Sequence, residues 1–151
     1  MTGSTEHPND RAINVRRLWS GGGVVAIVAG LVAIVGILIA RGLVGVAILA
    51  PQGDGVWGNA NTATYALLSA AGALVATGMA HVLLLATPRP TRFFAWIMLL
   101  LTLIAAVVPL TLIADPHDRI ATAALNLVVG LVITALVNGV ARTVSTPRLD
   151  A

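Results

Sequence analysis

SGGGVVAIVAGLVAIVGILIA, residues 20–40, runs for 21 positions without a charged side chain, with Arg16 and Arg17 before it and Arg41 after it. A helix of that length rises ~30 Å at ~1.5 Å per residue, which matches the hydrocarbon thickness of a bilayer. Three more charge-free stretches follow, at residues 62–87, 93–114 and 120–141. A secretory signal also opens with basic residues and an apolar run, but its apolar core is only ~7–15 residues long. The first stretch therefore reads as a membrane span.

The composition agrees. The chain of 151 residues is 58% hydrophobic and 10% charged, with a mean hydropathy of +0.94, whereas soluble domains run near ~45–50% and ~25%. A cytosolic enzyme and a disordered tail are excluded on these grounds, and the lack of cysteine excludes thiol catalysis and Cys-ligated metal centres. The expected fold is all-α, a four-transmembrane-helix bundle with antiparallel up-down neighbours. A polar, disordered N-terminus (1–19) precedes a four-span membrane domain (20–142), and a short tail (143–151) follows.

Charge placement orients the bundle. All nine basic residues are arginine. Seven of them (Arg11, Arg16, Arg17, Arg89, Arg92, Arg142 and Arg148) fall on the side shared by both termini and the second loop. The other side holds Arg41 and Arg119 with Asp54, Asp115 and Asp118. Basic residues near span ends stay cytoplasmic, so a plasma-membrane protein with both termini inside is expected. Trp19, Phe93, Phe94 and Trp96 are placed at the inner boundary and Trp57 and Tyr65 at the outer one, as an aromatic belt. The arginines form no stripe with interleaved aromatics, so nucleic acid is not an expected partner despite the net charge of +3.

Apolar residues continue past Arg41 as far as Ala50. The first span either ends near Arg41 and leads into an interfacial segment or continues as a long tilted helix to Ala50; the first is preferred, because Gly42 and Gly45 weaken a helix there. Residues 51–61 (PQGDGVWGNAN) carry turn chemistry. The short connections at residues 87–92 and 115–119 make spans 2, 3 and 4 antiparallel neighbours.

Inside lipid, close helix contact needs small residues. Gly22, Ala26, Ala29, Ala33, Gly36 and Ala40 recur at intervals of 4, 3, 4, 3 and 4, a heptad seam suited to left-handed packing. Gly72, Ala76 and Ala80, with Ser69 and Ala73 beside them, form a second small-residue stripe.

No Asp, Glu, Lys or Arg lies centrally in any span, which removes the usual intramembrane functional marker. The polar candidates are His81, Asn126, Thr134 and Asn138. His81 lies ~9 Å from the inner end of span 2, counted at 1.5 Å per residue. It offers a haem ligand, a metal ligand or a proton relay; the plainer expectation is a hydrogen bond to a neighbouring helix, with Thr134 at similar depth. A second imidazole for a haem is missing, because His7 and His117 lie in aqueous segments. Asn126, Gly130, Thr134 and Asn138 recur every four residues and form one drifting polar stripe. It either lines a path or supplies interhelical hydrogen bonds of ~0.6 kcal/mol each. Asn126 has a specific partner in prospect: Pro109 lacks an N–H and so frees the carbonyl of Ala105 in span 3. Asp115, Pro116, His117 and Asp118 hold three metal-competent side chains, but Asp118 also serves as an N-cap of span 4. Ser69 and His81 share one helix twelve residues apart, so they cannot form a nucleophile–base pair. No catalytic, cofactor or metal site is expected.

Spans 2 to 4 resemble an actinobacterial family of small four-helix integral membrane proteins with no assigned function. The resemblance rests on Pro88-Arg89-Pro90-Thr91-Arg92 leading into Phe93-Phe94-Ala95, on Pro109, and on Ala123-Ala124-Leu125-Asn126-Leu127-Val128-Val129. It covers roughly residues 20–142. The family position filled here by Asn126 is often His, so this chain departs from the family where a shared ligand would sit. The resemblance implies a multi-pass membrane protein and transfers no activity.

Three functions compete. The favoured expectation is a non-enzymatic accessory or self-assembling subunit, whose partners are the lipid bilayer and either another membrane protein or a second copy of itself. The alternative is a small-molecule or lipid transporter or binding protein that uses the span 4 stripe and His81. An enzyme or redox carrier built on His81 ranks last.

Overall fold

A computed structural model describes residues 15–45, 47–51, 57–59 and 61–145. It holds four helices long and apolar enough to cross a membrane. Helix α1 spans Val15–Ile39, α2 Thr62–Ala86, α3 Pro90–Val107 and α4 Pro116–Ser145. A short antiparallel ribbon joins α1 to α2, with β1 (Leu49–Pro51) on β2 (Trp57–Asn59) in the register Leu49↔Asn59, Ala50↔Gly58, Pro51↔Trp57. The expected four-span helical bundle is therefore what the chain forms. Asp54, Arg11, Arg148, His7 and the expected polar N-terminus up to residue 14 lie outside the described residues.

Helix ends depart from the charge-free stretches. α1 is already helical at Val15, the first described residue, where the sequence suggested Ser20, and α4 is helical from Pro116 through Ser145, the last described residue, beyond the expected 120–141. Helical backbone needs no absence of charge. An end turn can extend into the headgroup layer, and Arg16, Arg17 and Arg142 on these end turns are exposed. Beyond Ile39 the first helix widens into a π-turn over Ala40–Val44, and Gly45 ends it in the left-handed region at φ 70°, its N–H donating to the Ala40 carbonyl. The end near Arg41 is thus displaced to Val44, because, of the two glycines there, only Gly45 takes a conformation that L side chains disfavour. Asn61 caps α2, its side chain accepting from the Ala63 N–H at 3.0 Å. Pro90 opens α3 at a position where its missing N–H costs nothing. Pro109 converts the end of α3 into a 3-10 turn, Val108–Thr111.

The helices stand in a square. α1 packs most extensively on α2 and then on α4, α3 packs on α4, and the α2–α3 face is thin, with a short diagonal between α2 and α4. The α1 seam lies inside this bundle. Ala29 and Ala33 are fully buried, and Ala26 and Ala40 nearly so. A Cβ at Gly22 would sit 2.4 Å from Thr77 of α2, and one at Gly36 would sit 2.2 Å from Leu125 of α4. The seam therefore turns from α2 to α4 as it ascends. On α2 the buried stripe is Tyr65, Ser69, Ala73, Ala76 and Ala80. Gly72 is exposed, which corrects its assignment to the second contact stripe. Large apolar side chains such as Ile27, Val75, Leu100 and Ile120 point outward, as lipid requires and water forbids.

Two aromatic placements are corrected. Phe94 is 1% exposed and Tyr65 7%, so both are core residues, while Trp19, Phe93 and Trp96 are exposed near the terminal end of the bundle. One helical step separates Phe93 from Phe94, which turns the second ring by ~100° onto the core.

Adjacent glycines on α1 test the packing. Gly22→Ala drives a methyl into a threonine whose hydroxyl is already held on the Ala73 carbonyl at 2.9 Å, and should cost about 1–3 kcal/mol. Gly23→Ala, with nothing within 4 Å of its new methyl, should stay within about 0.5 kcal/mol of the parent. Unfolding titrations in mixed micelles read both; equal effects would refute the seam.

Candidate functional site

Where α2 and α3 meet thinly, a crevice of about 440 Å³ opens between them, with α4 as its floor. Small residues make the gap. Ser69, Gly72 and Ala76 form one wall, Thr102 and Ala105 the other, and Gly130 lies on the floor. Met79, Met98 and Leu101 continue the walls toward the terminal end, and Leu49 from the ribbon segment lines the hairpin end. No Asp, Glu, Lys, Arg or His is among the lining residues. Gly130 is required here, since a Cβ at that position would lie 2.4 Å from the Thr102 hydroxyl.

The polar groups of the crevice form a chain across three helices. The Asn126 amide Nδ2 donates to the Ala105 carbonyl at 2.6 Å. That carbonyl is the one Pro109 deprives of its helical donor, so the pairing expected from the sequence is made. The Tyr65 hydroxyl donates to Asn126 Oδ1. Ser69 Oγ in turn donates to the Tyr65 backbone carbonyl at 2.9 Å. Tyr65, Ser69 and Thr102 are each at least nine-tenths buried.

The hairpin end is tied down by a second set of bonds. Asp118 Oδ1 accepts from the Ala47 N–H at 2.8 Å, and buried Thr122 Oγ1 accepts from the Leu49 N–H at 2.9 Å. Thr122 also donates to the Asp118 carbonyl at 2.7 Å. Asp118 lies within the first turn of α4, and its carboxylate holds the ribbon segment, a correction to the expected N-cap role. The Ala47 and Leu49 N–H groups lie outside any helix and take side-chain acceptors from the first two turns of α4. Arg119 Nη1 donates to the carbonyls of Leu110 and Leu112, both at 3.2 Å, closing the end of α3 against α4.

The other sequence candidates are dispersed. Thr134 donates to its own helix, to the Gly130 carbonyl at 2.7 Å, so the expected His81–Thr134 bond is absent. A threonine in a helix reaches its own preceding turn without ordering a second chain. His81 Nδ1 and Asn138 Oδ1 are buried without hydrogen-bond partners among the described residues. Thr134 and Asn138 border a depression on α4 with Arg142, while Asn126 and Gly130 reach the crevice. The stripe is thus divided between two places by its drift around α4. His117 sits at the rim of a larger, aliphatic furrow of about 730 Å³ between α1 and α4, which offers no polar pattern. Among the described residues no group of three His, Cys, Asp or Glu side chains is placed to hold a metal ion. Tyr65 was missed by the sequence reading as a site residue. The signal was its i, i+4 relation to Ser69 and to the small residues beyond, which marks a packed face and not a belt position.

A double-mutant cycle tests the chain. Asn126→Leu should lower stability by about 1–2 kcal/mol by stranding the Ala105 carbonyl. In a Pro109→Ala background the same change should cost less, by about 0.6 kcal/mol, because an N–H at position 109 returns to that carbonyl. Additive losses would refute the coupling.

No curated protein and no solved structure matches the chain. A family model described as a family of unknown function (DUF6069) matches residues 13–143, a stretch that takes in all four helices, the crevice and the Pro109–Asn126 pair. The chain belongs to that family.

Proposed function

We propose that this chain is a non-enzymatic protein of the plasma membrane, with both termini cytoplasmic, that binds an amphiphilic small molecule or lipid in the α2–α3 crevice. One observation carries the reading: a gap of about 440 Å³ lies beside the buried hydroxyl-bearing residues Tyr65, Ser69 and Thr102 and the half-buried amide of Asn126. The flanking α1–α2 and α3–α4 faces close through Gly22 and Gly130, and the open α1–α4 furrow is aliphatic, so this gap is set apart by the polar groups beside it. An accessory or self-assembling subunit, the expectation favoured by the sequence, would need a docking face outside the α1 seam, which α2 and α4 of the same chain fill, and the crevice favours binding.

Mild-detergent extraction tests this. Gly72 lines the crevice and a Cβ there meets nothing within 4 Å, so Gly72→Phe fills the space without forcing the helices apart. The parent should retain a defined hydrophobic molecule near one-to-one stoichiometry, and the Gly72→Phe protein, equally stable to heat, should lose it. Identical co-purifying molecules in both would overturn the reading.

Orientation has its own test. A fluorescent protein fused at the C-terminus should be bright, while an alkaline phosphatase fused at the same point should be inactive. Active phosphatase would reverse the topology drawn from the arginine distribution.

A further inference from the structure

We infer that the occupant of the α2–α3 crevice is an uncharged, single-headed amphiphile whose head is a hydroxyl group, donating to Tyr65 and accepting from Asn126. This rests on the binding reading above and adds the chemical class of the ligand.

The polarity of the site is fixed from outside it. Pro109 has no N–H, so the Ala105 carbonyl lacks its usual donor. A carbonyl only accepts, so the end of the Asn126 amide that meets it at 2.6 Å is the NH₂. Oδ1 then faces Tyr65, which donates its single proton there. The Tyr65 oxygen is left with lone pairs only. Ser69 is in the same state, its proton committed to the Tyr65 carbonyl at 2.9 Å. One hydrogen of the Asn126 NH₂ remains uncommitted, and the Thr102 hydroxyl faces the same crevice. The crevice therefore offers acceptors on the α2 side, a donor on the α4 side and, on α3, the Thr102 hydroxyl, which can do either. A hydroxyl supplies one proton and accepts another through one oxygen, which satisfies both. An ether or ester oxygen satisfies only the donor.

Charge is excluded by the lining. No Arg, Lys, His, Asp or Glu borders the crevice, so an ionised head would be desolvated without a counter-charge. The depth suits a head-up amphiphile. Tyr65 lies in the first turn of α2, ~5 Å from its start at 1.5 Å per residue. From Tyr65 to Met79 the apolar wall descends a further ~21 Å on the same scale, with both methionines near its lower part to fit an irregular chain.

The test uses the full-length protein in nanodiscs and three probes that share one alkyl chain with a mid-chain diazirine. One probe ends in a hydroxyl, one in a methyl ether and one in a sulfate. After illumination, mass spectrometry locates the adducts. The alcohol should label Met79, Met98 or Leu101 saturably, at least ~10-fold more than the sulfate and several-fold more than the ether. Gly72→Phe should abolish that labelling. Saturable labelling by all three probes alike overturns the hydroxyl assignment and leaves the binding reading intact. Saturable labelling by alcohol and ether equally, with the sulfate rejected, overturns the donated hydrogen bond to Tyr65. No saturable labelling by any probe overturns the binding reading and this assignment with it.

Discussion

In hydrocarbon, a backbone carbonyl that loses its helical donor has no water to turn to, and leaving it unpaired is costly. Pro109 creates that problem in α3, and Asn126 of α4 resolves it at 2.6 Å. Much of the middle of the bundle follows from this one bond. It sets the approach of α3 to α4 at the level of Ala105, and one turn below it Gly130 meets Thr102 without room for a methyl. It also orients the amide, and through the amide the Tyr65 hydroxyl of α2.

Packing and the crevice are two outcomes of the same choice of small residues. Where glycine or alanine on one helix faces a larger group on the next, as Gly22 faces Thr77 and Gly36 faces Leu125, the helices close. Where small residues face one another across α2 and α3, nothing fills the gap, and it persists because α4 fixes both neighbours. The hydrophobic effect gives no reason to shut such a gap in a bilayer, since lipid tails occupy it at little cost. Its buried polar lining is what separates it from an ordinary lipid-facing furrow such as the aliphatic one beside His117.

Span number and the α1 seam were legible in the sequence because both depend on local periodicity and on the absence of charge. The Asn126–Ala105 pair was legible because a proline announces which carbonyl it strands. Helix ends were less so: Val15 and Ser145 lie among charged neighbours that the headgroup layer accepts. Tyr65 was misplaced because an aromatic ring near a span end serves equally as a belt residue or as core, and only the neighbouring helix decides. His81 and Thr134 failed to pair because depth along a helix says nothing of rotation about it. The crevice itself depends on which helix pair packs thinly, a relation among distant segments that no single stretch encodes.

The bonds from Ala47 to Asp118 and from Leu49 to Thr122 have a mechanical meaning beyond holding a loop. They fasten the segment leaving α1 to the first turns of α4, and Leu49, held by its own N–H, also lines the crevice. The rim of the crevice and the closure of the helix ring are therefore one rigid joint. Displacing Leu49 from the rim must first part the loop from α4, so the shape of the crevice at that end is set by two hydrogen bonds as well as by side-chain packing.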